Sequence, residues 1–425
     1  MTNWKEYKLS DFAEINPKIA LKKGVEYSFV EMKDLSEGNK FVTPSQKKEL
    51  KGGSRFENGD TLFARITPCL QNGKICEVKE LENGKGFGST EFLVFRGKEG
   101  VSDSKFVHYL SLSNEVRSFA EQNMVGTSGR QRVSWQAFEN LVLSLPDLPT
   151  QTAIAEILSS LDDKIELNNK INQELENLAQ TLFKQWFIDF EFPNQNGDPY
   201  KSSGGEMIDS ELGEIPKGWE VGIFGEICKL STGKGIKKKD YLFDGSYPVI
   251  GANGVMGFYD KFNTEGFKIL TGRVGTLGTV RINTEKVWTS DNVIVCSPKS
   301  EELDHFAYYV LSSFNFEALN RGSTQPLLTQ TDLKSQVIII PSFNVLKTFN
   351  FQLDSQYSIV SNNKNENQEL TNLRDTLLPK LISGELEVNG LNRDSLDLHD
   401  AKDFKNQGNQ VNPQNQGSDI KSLNK

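Results

Sequence analysis

Apolar residues at Ile154, Leu158, Leu161 and Ile165 step by four, three and four, the seam spacing of a helix packed lengthwise on another helix. The pattern predicts one long helix over 150–192. The same steps return at Phe349, Leu353, Gln356 and Val360. Both series continue at one constant offset, through Asn168, Asn172, Leu175, Leu178 and Leu182 in the first and Asn363, Asn367, Leu370, Leu373 and Leu377 in the second. A second long helix is therefore predicted over 346–390. Seam positions favour Leu or Ile, because a polar residue there costs stability and fixes register. The shared asparagines, spelled NNKINQELENL and then NNKNENQELTNL, mark a duplicated element.

Ahead of each helix the pattern is that of a mixed α/β unit. In 1–149, Trp4, Leu9, Phe12 and Ile15 open the unit, TLFA at 61–64 and EFLVF at 91–95 read as buried strands, and 103–122 has helical spacing. A polar loop GTSGRQR at 126–132 then leads to the strand LVLSLP. The order repeats in 219–345: Trp219, Phe224, Ile227 and Leu230 open, Thr271-Gly-Arg273 answers Phe63-Ala-Arg65, and Ser290–Val295 answers Thr90–Phe95. Next come a helix with Phe306 and Tyr309, the loop RGSTQPLLTQ at 321–330 and the strand QVIIIP. The Gly/Pro/Ser-rich 193–218 reads as a connector. The Asn/Gln-rich 391–425 lacks the apolar area to order itself and reads as a flexible tail. The expected class is α+β, a duplicated head plus helix, since the period is far too long for a solenoid unit.

Composition narrows the functional classes. A chain of 425 residues with 36% hydrophobic content can build two or three packed domains. With neither an apolar run of membrane-spanning length nor a secretory leader at the start, a cytoplasmic location without membrane attachment is expected. Cys69, Cys76, Cys228 and Cys296 form no CxxC pair, and His108, His305 and His399 are far apart, so no metal site is expected. The net charge of −9 argues against a uniformly basic DNA-coating protein. The acidity concentrates on the first long helix, which suits a protein partner there as well as an ordinary solvated face.

Catalytic signatures are missing: no phosphate-binding GxxxxGK[ST], HExxH or GxSxG appears, and GRVGTLG at 272–278 reads as turns between strands. His108 and His305 read as structural. Nucleic-acid recognition has better candidates. Arg130, Gln131 and Arg132 lie on the first polar loop, and Arg321, Ser323, Thr324, Gln325, Thr329 and Gln330 on the second. Arg pairs bidentately with guanine and Gln with adenine, while Ser and Thr hydroxyls reach phosphates or bases. Arg65 with Lys74, and Arg273, occupy matched turns. Lys237, Lys238 and Lys239 read equally as phosphate contacts or as a solvated charge run.

Four stretches together resemble the specificity (S) subunit of type I restriction–modification enzymes. They are LPDLPTQTAIAEILSSLDDKIELNNKINQELENLAQTLFKQWFIDFEFP, PYKSSGGEMIDSELGEIPKGW, YPVIGANGVMGFYD and LRDTLLPKLISGEL. The likeness spans 1–390, and the tail departs from it. It implies two tandem target recognition domains, 1–149 and 219–345, each reading one half of a bipartite site in double-stranded DNA. It also implies that the helices pack antiparallel as a coiled-coil spacer with pseudo-twofold character. The chain itself would hold neither catalytic residues nor cofactors. Two modification subunits carrying S-adenosylmethionine would methylate adenine, and restriction subunits using ATP and Mg would cut, if they accompany the complex. The seam Leu158, Leu161, Ile165, Asn168, Asn172 and Leu175, with Leu353, Val360, Asn363, Asn367 and Leu370, would then hold the spacer. Its four asparagines are expected to meet where the helices cross. Two other classes stay open: a coiled-coil assembly adaptor that reads no sequence, and a stand-alone enzyme acting on DNA.

Overall fold

The computed structural model describes residues 4–127, 129–275, 277–322 and 326–388. Two compact units divide the chain, Met1–Asn168 with Asn365–Lys425 and Asn169–Lys364. Each combines one head with the start or end portions of both long helices, so head and helix are not separate bodies. The predicted tail lies outside the described residues, as do Ser323, Thr324 and Gln325.

The first unit opens with Lys5–Lys8 paired antiparallel to Val142–Leu145, so the beginning and end of the head are zipped together. A five-stranded sheet follows in the order Ala13–Ile15, Phe92–Gly97, Thr61–Ala64, Ile75–Val78, Phe41–Val42. Beside it a four-stranded sheet runs Gln46–Glu49, Glu26–Val30, Lys85–Gly88, Ser54–Glu57. The helical stretch predicted over 103–122 is two helices, Ser104–Leu112 and Asn114–Gln122. Ser113 ends the first in an extended conformation and accepts from Val116 N at 3.4 Å, capping the second. Phe12, Phe63, Phe106 and Phe138 are fully enclosed, and the core continues into Ile154, Leu158, Leu161, Leu370, Leu377 and Leu381 of the long helices.

Buried polar contacts fix this head on its helices. Tyr109 OH donates to Asp162 Oδ2 at 2.6 Å, and Arg374 reaches Asp162 Oδ1 at 2.8 Å. Further out, Lys40 pairs with Asp163 at 3.3 Å and Lys79 with Glu166 at 2.8 Å. The Lys79 ammonium also lies 4.0 Å from the Phe41 ring centroid. His108, sealed in the core and 3.2 Å from Thr61 Oγ1, is pushed down to about 3 by burial, then by Lys40 and Arg374. It stays neutral and structural.

The second unit repeats the plan. Glu220–Ile223 pairs with Val337–Ile340 as the zipper. A four-stranded sheet runs Cys228–Thr232, Val293–Pro298, Lys268–Gly272, Val280–Asn283, and a three-stranded one Gly254–Tyr259, Tyr247–Gly251, Trp288–Thr289. Register corrects the sequence alignment by one residue. Phe92 stands opposite Ala64, while Val293 stands opposite Gly272, so Phe92 corresponds to Val293 rather than to Asn292.

The helix Asp304–Ser312 docks through aromatic groups. Tyr309 OH lies 2.8 Å from Tyr357 OH and 3.2 Å from Glu176 Oε1, and His305 stacks on Tyr357 with ring centroids 4.4 Å apart. Asp304 is pushed up to about 7 by burial first, then by Asp354 and Glu301, with Lys268 opposing. The folded state thus retains a proton that the unfolded chain releases near 3.8, and stability is lost as pH rises from there through 7. Asp304→Asn is expected to raise the melting temperature clearly at pH 8 and much less at pH 5. Equal shifts at the two pH values would show that this carboxyl is not the titrating group.

The stretch read as a connector, 193–218, is built into this unit. Met207–Ser210 and Gly213–Pro216 form an antiparallel hairpin, Ile215 is buried, and Phe192 stacks between Tyr200 at 4.5 Å and Trp219 at 5.0 Å. Its glycines at 197, 204 and 213 take positive φ and shape tight turns, which local composition does not distinguish from a loose linker.

The first long helix spans Leu148–Phe183 and ends in a π turn, Lys184–Ile188, short of the predicted 192. The second spans Phe343–Ser383 and stops at Gly384, whose φ of 75° is the left-handed stop favoured after a helix. A Cβ on Gly384 would come within 2.8 Å of the Trp4 ring.

The helices pack antiparallel within each unit. Asn168 Nδ2 donates to Asn367 Oδ1 at 2.9 Å and to Glu366 Oε2 at 2.6 Å in the first unit. In the second, Asn363 Nδ2 donates to Asn172 Oδ1 at 2.9 Å. The four asparagines therefore make repeat-equivalent contacts. Leu158, Leu161, Leu353 and Leu370 are buried, and Ile165, Leu175 and Val360 half-buried. Leu178 departs from the expected seam at 53% exposure, its place taken by buried Ala179. A straight helix drifts against a seven-residue repeat, and here the next step is four residues rather than three. Asn168→Ala removes two hydrogen bonds from a buried amide and is expected to cost about 1–3 kcal/mol in denaturant unfolding. A change below about 0.3 kcal/mol would show the pair contributes no stability.

Candidate nucleic-acid interface

In the first head the loop 126–132 is closed by Val125 and Arg132, which exchange backbone hydrogen bonds of 2.9 and 3.0 Å. It is then stitched to the end of Thr61–Ala64: Thr67 N donates to Gln131 O at 3.0 Å, Gln131 N to Thr67 Oγ1 at 3.0 Å, and Val133 N to Arg65 O at 3.0 Å. Gly126 has φ 138°, and a Cβ there would meet Arg130 O at 2.9 Å, so the turn requires glycine. These bonds bring Arg65, Arg130, Gln131 and Arg132 together on one edge. Arg132 grips Glu91 through Nε at 2.9 Å and a terminal nitrogen at 2.8 Å. Arg65 Nε lies 3.7 Å from the same carboxylate, and Arg130 is exposed.

Lys74 does not join this group. Its ammonium donates to Met32 O at 3.0 Å, just past the strand Glu26–Val30 of the other sheet.

The second head reproduces the stitching. Arg321 N donates to Leu327 O at 3.0 Å, Gly275 N to Pro326 O at 3.1 Å, and Leu328 N to Arg273 O at 2.9 Å. Arg273 N takes Asn292 O at 2.8 Å, as Arg65 N takes Glu91 O at 3.0 Å. Arg65 and Arg273 thus occupy the same place in the two heads. Arg321 forms an ion pair with Asp332 while its side chain stays 69% exposed. Burial works against Asp332, yet hydrogen bonds from Thr329 and the Arg321 contact hold its carboxyl below the usual range. Gln330 sits against Cys228–Thr232, its amide 2.7 Å from Thr232 Oγ1, so it braces the loop root instead of projecting outward. Lys237, Lys238 and Lys239 are exposed.

Sequence reasoning passed over three groups beside Arg65. Lys18, Arg55 and Thr90 line a cleft with Arg65 on the flank of the first loop. Their separation in sequence leaves no motif. Nor did sequence mark Glu91 and Asp332, the acids that hold Arg132 and Arg321. Among the described residues no cluster of His, Cys, Asp or Glu could hold a metal ion, and no helix is long and apolar enough to cross a membrane.

The chain matches the family described as the type I restriction modification DNA specificity domain over 1–177 and 216–372. The specificity subunit of the type I restriction enzyme HindI from Haemophilus influenzae is 26% identical, the match covering 91% of this chain and 100% of that protein. The MjaIX specificity subunit from Methanocaldococcus jannaschii is 28% identical over 92% of this chain and 90% of that protein. A crystal structure of a type I restriction-modification S subunit from M. genitalium shares the fold, with a TM-score of 0.53 at 18% identity, covering 90% of this chain and 96% of that one.

Proposed function

Because this chain belongs to the type I restriction modification DNA specificity family, we propose that it is the subunit that gives such a complex its DNA sequence. Each head reads one half of a bipartite site. One observation carries this reading: a loop rich in Arg, Gln, Ser and Thr is stitched by equivalent backbone bonds to Arg65 in one head and Arg273 in the other. A loop edge presenting guanidinium groups suits bidentate reading of guanine in the major groove. The residues proposed to face DNA are Arg65, Arg130, Gln131 and Arg132 in the first head and Arg273 and Arg321 in the second. Ser323, Thr324 and Gln325 join them by sequence alone.

The long helices set the distance between the half-sites. The first has 36 residues, about 54 Å at 1.5 Å per residue, enough to bridge half-sites one helical turn apart at about 34–36 Å. Its acidic surface docks two modification subunits, which carry S-adenosylmethionine. Restriction subunits, where present, carry ATP and Mg. Chemistry belongs to those partners and recognition to this chain.

The test is selection of the complex on duplexes with randomised sequence. A split motif with a fixed gap is expected, and inserting four residues into each long helix, about one turn, should change that gap. Sequence-independent binding would overturn the reading in favour of an assembly adaptor.

A further inference from the structure

We propose that the cleft beside Arg65 in the first head is a phosphodiester clamp, holding one DNA backbone phosphate next to the base-reading loop. The proposal rests on the DNA-recognition reading and extends it to a site that no loop motif marks.

The cleft is a built feature. Its floor is the strand Phe92–Gly97, and both walls are tied to it. Asn16 N donates to Val94 O at 2.7 Å and Asn16 Oδ1 accepts from Val94 N at 3.0 Å, which fixes the wall carrying Lys18. Ser54 Oγ donates to Phe92 O at 2.7 Å, fixing the wall carrying Arg55. Arg55 then spans the walls, one terminal nitrogen donating to Ile19 O at 2.9 Å. Gly53 lies so close to the strand Lys85–Gly88 that a Cβ would come within 2.1 Å of Gly88 O, so this close approach requires glycine.

The lining chemistry selects the ligand. Lys18, Arg55 and Arg65 supply three cations and Thr90 a hydroxyl, and no carboxylate is among the described lining residues. Arg65 Nε is buried without a hydrogen bond, its nearest acid being Glu91 at 3.7 Å, whose carboxylate Arg132 holds. Three cations converging with a hydroxyl are a set that proteins use on phosphate oxygens, and such contacts fix register without reading sequence. Arg65 joins the cleft to the loop, so a phosphate here would set how far Arg130–Arg132 reach into the groove. In the second head the counterpart of Ser54–Glu57 is reduced to the bridge of Thr264 with Val287, which answers that of Glu57 with Lys85, and Phe262 stands where Arg55 stands in the first. The clamp therefore belongs to the first half-site alone.

The experiment measures affinity of the full chain against salt concentration, on its selected duplex and on a random one. For Lys18→Ala the slope of log K against log salt should fall by about 0.9, one phosphate contact. Affinity should drop by the same factor on both duplexes, with the selected motif unchanged. Arg55→Gln should behave alike, and because it also spans the walls it is read only if its melting temperature matches wild type. Lys18 is exposed and carries no such role, so its variant decides the matter. Lys23→Ala, outside the cleft, is the control. A single neutral methylphosphonate linkage in the first half-site should weaken wild type but not Lys18→Ala. Unchanged slopes, or saturable binding of inorganic phosphate that leaves DNA affinity untouched, would overturn the clamp. Failure of the recognition reading would look different, since wild type would then show no split motif at all.

Discussion

Arg374→Ala is expected to destabilise the first unit by about 3–5 kcal/mol, the usual penalty for removing one partner of a buried ion pair. Asp162 is 3% exposed and receives only two donors, Arg374 at 2.8 Å and Tyr109 OH at 2.6 Å. Without the guanidinium its charge stays in the core with one phenol for company. Arg374 also reaches Gly38 O at 3.3 Å, so its loss removes a further polar tie between the head and the second long helix. Hydrogen exchange is the suitable measurement, because a chain of two units need not unfold in one step. Protection should fall in 104–112 and 148–168 and stay unchanged in 304–312. Removing both charges at once, as Asp162→Leu with Arg374→Met, should recover much of the loss. A loss below about 1 kcal/mol for Arg374→Ala would mean that water reaches Asp162.

Phe349→Ala is expected to cost about 3–5 kcal/mol in the second unit, through lost burial and the cavity left behind. Phe349 is fully enclosed, its ring meeting Phe187 edge-on at 4.8 Å and lying 5.7 Å from Trp186 and 6.3 Å from Phe183. Those three end the first long helix, and Phe183 also stacks on Tyr309 at 5.3 Å. One truncation thus opens the joint where helix, π turn and head meet. Phe351, two residues on, is 78% exposed, and its alanine variant should lie within about 0.5 kcal/mol of wild type. Thermal melts of the pair check this directly. Similar melting temperatures would show that the cluster re-packs around the gap.

What could be read from the sequence was what repeats. The period of Leu158, Leu161, Leu353 and Leu370 announces a helix seam, and asparagines recurring at one offset announce both duplication and register. Heads were legible through order: an opening apolar run, a buried strand, a helix, a polar loop, a closing strand. Contacts between distant residues were not. Asp162 and Arg374 have no sequence relation that betrays their pairing, and Lys18, Arg55 and Thr90 converge only because separate strands carry them to one edge. Residue type also misled where a side chain had two possible uses. Lys74 and Gln330 have the chemistry to meet DNA, but each is engaged by the backbone or a hydroxyl of its own head. The connector misled for a related reason, since glycine and proline shape tight turns as readily as they loosen a chain.

The docking of heads on helices bears on how specificities can be recombined. Asp162, Asp163 and Glu166 hold the first head through Tyr109, Lys40 and Lys79, and their repeat equivalents are Tyr357, Ser358 and Ser361. A head moved from the first position to the second would bring its lysines to serines, whereas Tyr309 moved the other way would meet the Asp162 carboxylate as Tyr109 does. The heads are therefore not cassettes that fit either socket. An exchange that keeps the grip must carry the matching helix face with it, so the natural unit of shuffling is a head together with its own patch of helix.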